Sequence, residues 1–183
     1  MNHTAIRPIF CPDGEMTHAG FAIVLAPATV LAPAVTECLR LNHDRVLYVS
    51  GNYPPVLTGL DRRERTFHVR RALTAYQLLS ILDEAWAEET VLIEHDHGLF
   101  DDAPGTAAGI GRACSDRAHA GTVILMASRT DDHLRQMLPW ATTVVRIRDP
   151  ETKERGRACT RPAYQPKPHA SGMEGRHHAS VDL

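Results

Sequence analysis

The chain has 183 residues, a formal net charge of −2 and a hydrophobic share of 43%. That length suits one domain of about 100–200 residues, and the near-neutral balance argues against a broadly basic nucleic-acid binder. Among 20 Lys and Arg residues only Lys153 and Lys167 are lysine, so everything before them excludes lysine chemistry such as a Schiff base or a phosphate-gripping P-loop lysine.

Residues 1–18 read as a polar lead-in. Gly20–Ala26 (GFAIVLA) is a continuous apolar run of strand length, as in a strand buried on both faces, and Pro27 ends it. Pro33 suits the first turn of a helix to about Leu41, because proline lacks only a donor that is unpaired there. Arg45–Ser50 (RVLYVS) is a second buried strand, and Gly51–Gly59, with Pro54 and Pro55, reads as a turn-rich loop. Thr66–Arg70 is a short extended piece. Thr74 and Gln77 then form a T-x-x-Q capping box, followed by an apolar stripe from Ala75 to Trp86 that predicts a helix to about Glu89. Thr90–Glu94 (TVLIE) is a third strong strand. A helix is expected from about Gly109 to His119, a fourth strand over Gly121–Ala127, and a short helix to Leu138 capped by Asp131 or Asp132. Ala141–Arg148 reads as a fifth strand with one wet face. The expected domain is 19–164, followed by a tail, 165–183, too polar and rich in Pro, Gly and His to pack.

Strands alternating with helices imply a mainly parallel sheet covered on both faces, hence an α/β protein built as a three-layer α/β/α sandwich. Ligands in such sheets bind beyond the carboxyl ends of the strands. Cys11, Cys38, Cys114 and Cys159 contain no CxxC pair, which argues for reduced, mostly buried thiols. The amino terminus lacks a signal-type apolar run. The longest apolar stretch, Phe21–Val35, is broken by prolines and shorter than the roughly 20 residues of a membrane span. A cytoplasmic protein with no membrane partner is expected.

The order of motifs resembles the ATPase core of the RecA/RadA superfamily and its KaiC-like relatives. Gly20–Leu39 stands where that family has strand, P-loop and helix. Phe67–Leu82 (FHVRRALTAYQLLSIL) resembles its V-x-R-A and Q-L-L segment, and Val91–Phe100 (VLIEHDHGLF) resembles its Walker B strand. Thr142–Pro168 resembles its closing arginine-bearing strand, hairpin and Pro-rich stretch. The resemblance implies a RecA-like core, with Glu94 at the Walker B aspartate position.

The phosphate loop departs from that pattern. A P-loop needs glycines, so that backbone N–H groups can cradle phosphate, plus Lys and Ser/Thr for phosphate and Mg²⁺. Here Ala26–Pro33 has neither glycine nor lysine. Pro27 and Thr29 stand within the loop, Ala32 near the Lys position and Pro33 near the Ser/Thr position. Conventional ATP hydrolysis is not expected. The long DNA-contacting loop of recombinases is also replaced by the short Ser128–Trp140 segment.

Two further groupings carry possible chemistry. Glu94, His95, His97 and Asp101 form the densest cluster of potential metal ligands, with His95 and His97 on one side if the strand continues. The alternative for Glu94 is an ordinary strand-end carboxylate facing solvent. From Ala72 to Gly111 there are eight acidic residues and no Lys or Arg, an acidic surface that would attract cations or a basic partner. Arg62, Arg63, Arg65, Arg70 and Arg71 on one flank, and Arg146, Arg148, Arg155, Arg157 and Arg161 on the other, suit phosphate or carboxylate. No nucleophile motif is present, and Cys114 reads as core.

The function expected from these readings is a non-catalytic RecA/RadA-like binding or regulatory module, pairing with itself or another protein and needing no cofactor. The alternatives are a metal-dependent hydrolase or nucleotide-related enzyme at Glu94–Asp102, with a divalent metal, and a nucleic-acid accessory protein using the arginines.

Overall fold

The computed structural model describes residues 20–41, 45–60, 67–85 and 90–147. The chain divides into two units, Met1–Pro150 and Glu151–Leu183, and all described residues belong to the first. Six strands, β1 (Gly20–Leu25), β2 (Val46–Ser50), β3 (Phe67–Arg71), β4 (Thr90–Glu94), β5 (Thr122–Ala127) and β6 (Thr143–Arg146), form one sheet in the order β3-β2-β4-β5-β1-β6. Every strand pair is parallel. The helices are α1 (Ala28–Leu41), α2 (Pro55–Thr58), α3 (Ala75–Glu84), α4 (Ala107–Arg117) and α5 (Asp132–Met137).

The strand order dictates the layers. The connections β1 to β2 and β2 to β3 travel toward the β3 edge; the other three travel back. Right-handed crossovers send opposite directions of travel to opposite faces. Accordingly α1 and α2 pack with Val24, Tyr48, Leu92 and Ile124 on one face. Helices α3, α4 and α5 pack with Ile23, Val49, Ile93 and Leu125 on the other. Neighbouring residues of one strand thus serve two cores, which is why β1, β2, β4 and β5 read as unbroken apolar runs. The result is a three-layer α/β/α sandwich with a parallel sheet. No helix among the described residues is long and apolar enough to cross a membrane.

Several boundaries differ from expectation. Helix α1 begins at Ala28, not at Pro33, which lies inside it. The Pro27 carbonyl accepts from Val30 and Leu31 N–H at 2.9 and 3.0 Å, so the turn that ends β1 also starts the helix. The stretch after β2 is not all loop: Pro55 opens the single turn α2, where its fixed φ is already helical. The capping box is shifted by one residue. Thr74 Oγ1 accepts from Gln77 N–H, but Gln77 Oε1 accepts from Leu73 N–H at 2.7 Å. Helix α3 ends at Glu84, and the predicted continuation through Trp86 to Glu89 lies outside the described residues, as do the lead-in 1–18 and the tail.

Candidate functional site

The carboxyl edge of the sheet carries the ends of β1, β2, β4 and β5. At β1 only Ala26 and Pro27 separate strand from helix. Ala26 N–H bonds the Ala127 carbonyl at 3.0 Å, continuing the ladder to β5. Thr29 is exposed, whereas Ala32 is buried in the α1–α2 core. A Cβ built on Gly59, just after α2, would lie 3.0 Å from Ala32 Cβ. The Ala32 side chain therefore points at the neighbouring helix turn.

Glu94 is not a solvent-facing carboxylate. It is 5% exposed. Its Oε2 accepts from Tyr48 Oη at 2.5 Å and from Leu57 N–H at 3.2 Å, and its Oε1 accepts from Val56 N–H at 2.7 Å. Strand parity explains the contact: Glu94 shares the α1–α2 face with Leu92, and Tyr48 stands on that face of adjacent β2. The carboxylate accepts from the first N–H groups of α2, which a helix start leaves without an intrahelical acceptor. It is a cap as well as a strand end.

His95 and His97 part company because the strand stops at Glu94. Asp96 Oδ1 accepts from Gly98 N–H at 3.0 Å and caps a single 3-10 turn over His97–Phe100. This turn leaves the His97 side chain 65% exposed, while His95 is 6% exposed. Asp96 Oδ2 accepts from Asn52 N–H at 2.8 Å, tying the loop after β2 to the loop after β4. Gly51 lies against it so closely that any Cβ there would strike Asp96. Asp101 is exposed. The proposed ligand set of Glu94, His95, His97 and Asp101 is thus dispersed, and among the described residues no three His, Cys, Asp or Glu side chains are arranged to hold a metal ion.

His95 instead pairs with Asp131, Nε2 to Oδ2 at 2.8 Å. Asp131 is the cap of α5, its Oδ1 accepting from Leu134 N–H at 2.7 Å. Burial opposes ionisation of Asp131 most strongly. The Leu134 N–H, the His95 hydrogen bond and the nearby His95 and His133 rings together outweigh it and hold the carboxyl below its ordinary range. An ionised carboxylate only accepts, so His95 Nε2 carries the proton. Phe100 stacks on His133, centroids 4.5 Å apart, and lies 6.0 Å from His95. Such a pair orients an imidazole, yet no hydroxyl or thiol among the described residues is hydrogen-bonded to His95.

Of the arginines, Arg62, Arg63, Arg65, Arg148, Arg155, Arg157 and Arg161 lie outside the described residues. Arg146 donates to Thr130 Oγ1 at 2.9 Å. The acidic stretch is also divided by the fold: Asp83, Glu84, Asp101 and Asp102 are exposed, while Glu94 and Asp96 are committed to hydrogen bonds. Cys114 is a core residue, its thiol pushed up to about 12 by burial. Tyr48 carries no local signal for its contact with Glu94, and Asp96, within the Glu94–Asp102 cluster, serves as a cap and loop tie. Tyr48 has the burial parity of Glu94's face, but only the pairing of β2 with β4 reveals that they meet.

No family model matches the chain. Over 90 residues it is 39% identical to an uncharacterized protein of Archaeoglobus fulgidus, covering 46% of this chain and 42% of that protein. The chain therefore spans less than half the length of that relative, whose description assigns no activity.

Proposed function

We propose that the protein is a RecA/RadA-like α/β module that no longer handles nucleotide and acts by binding other protein. The observation that carries this reading is the β1–α1 connection. With two residues between strand and helix there is no loop for backbone N–H groups to wrap a phosphate, and the Val30 and Leu31 N–H groups are spent on Pro27. Ala32 supports it, because a side chain there enters the α1–α2 core and not the carboxyl edge. Glu94 supports it too. Both its oxygens cap α2 or bond Tyr48, so the acid at the Walker B position serves the fold.

Calorimetric titration with Mg-ATP and Mg-ADP tests the reading. No binding heat is expected from the wild type or from Ala32→Lys, the latter unfolding at lower temperature because it buries a charge. Micromolar binding by the wild type would overturn it.

A further inference from the structure

Among the described residues the exposed large apolar side chains include one on each edge strand, Val69 on β3 and Val144 on β6. Strand β3 is exposed at every residue after Phe67, and Val69 at its centre is 42% exposed. No strand among the described residues pairs on its outer side.

The backbone of β3 is half used. Its parallel register sets Leu47 beside His68 and Val49 beside Arg70, and Ala72 N–H donates to the Ser50 carbonyl at 2.9 Å. In a parallel ladder one residue's N–H and C=O serve the same neighbour. His68 and Arg70 are therefore spent on β2. Phe67, Val69 and Arg71 turn their N–H and C=O groups outward.

We propose that this edge pairs with β3 of a second copy of the chain, antiparallel about a two-fold axis at Val69, merging two sheets into one. The sequence Phe67-His68-Val69-Arg70-Arg71 is self-complementary in that register. Val69 meets its own counterpart, Phe67 meets Arg71, and His68 meets Arg70. The outward residues fall on the hydrogen-bonded pairs of an antiparallel ladder, so all their N–H and C=O groups find partners. Phe67 gains the stem and guanidinium of Arg71. No arginine faces an arginine, whereas parallel pairing in register would set Arg70 and Arg71 against themselves, which is unfavourable. Glu84, 2.8 Å from Arg70, offsets charge beside the seam. A two-fold contact closes on itself and ends at a dimer. This inference extends the binding role and does not depend on the loss of nucleotide handling.

Sedimentation of the full chain over two decades of concentration tests it. Wild type is expected to double in mass on concentration. Val69→Pro removes only an outward N–H, a change an edge strand tolerates, and is expected to stay monomeric with unchanged thermal unfolding. Val69→Asp, which sets two like charges on the axis, is a second variant with the same expected monomer. Val144→Asp on the β6 edge is expected to leave the dimer intact. A wild type that is monomeric throughout, a dimer that persists in both Val69 variants, or one that Val144→Asp dissolves overturns the proposal.

Discussion

Replacing Glu94 by alanine strips the acceptor from three buried donors at once: Tyr48 Oη, Val56 N–H and Leu57 N–H. Loss of an acceptor by a buried donor costs up to about 1–3 kcal/mol. The three share one acceptor, so their losses overlap and the total falls below three times that figure. Glu94→Ala is therefore expected to lower stability by about 3–5 kcal/mol, a large part of the ~5–15 kcal/mol of a typical domain. Tyr48→Phe removes one donor and is expected to cost about 1.5–3 kcal/mol, since its bond is to a charged group. The double variant should fall short of the sum by about 1–3 kcal/mol, the coupling of residues in direct contact. Urea unfolding followed by circular dichroism measures all three. A ligand-binding acid held in the strand at the expense of stability would behave oppositely. Its removal would leave the midpoint unchanged or raise it, and that result, or an additive double variant, would refute the capping argument.

Helix α4 offers a paired control on packing. Gly109→Ala meets nothing within 4 Å and is expected to stabilise by about 0.5–1 kcal/mol through helix propensity. Gly111→Ala, two residues on, places its Cβ 2.7 Å from Trp140 Cδ1 and 2.9 Å from Met137 Cα, and is expected to cost about 1–3 kcal/mol; thermal melts should show shifts of opposite sign. Asp131 predicts the acid limb of stability. Its carboxyl is held below the ordinary 3.8, so its contribution is full above that value and is lost as pH falls through the lowered one. Asp131→Asn, which keeps the cap acceptor, should flatten unfolding free energy against pH in the acid range and cost about 1 kcal/mol at neutral pH; an unchanged acid slope would contradict the assignment.

The candidate site was only partly legible in advance. Thr74 as the cap of α3 follows from residues three positions apart, within reach of any local reading, whereas for α5 the same local reading left Asp131 and Asp132 open and the structure makes Asp131 the cap. The pairing of His95 with Asp131 spans 36 residues. His95 and His97 were expected on one side, and a 3-10 turn capped by Asp96 turned them apart. The side-chain amide of Gln77 reached Leu73 instead of Thr74, a difference of one residue that no spacing rule resolves.

The near-absence of lysine and the lack of glycine in Ala26–Pro33 were readable by themselves, as were the buried strands and the α/β alternation, because apolar runs, caps and breakers act over a few residues. The form of the β1–α1 connection was not readable. The start of α1 at Ala28 depends on Pro27 closing a turn against a ladder to β5, and the role of Glu94 depends on Tyr48, 46 residues away. Strand order brings β2 beside β4 and so puts a buried carboxylate over the first turn of α2. Local periodicity decides which residues are inside; only the sheet's long-range pairing decides which of them meet.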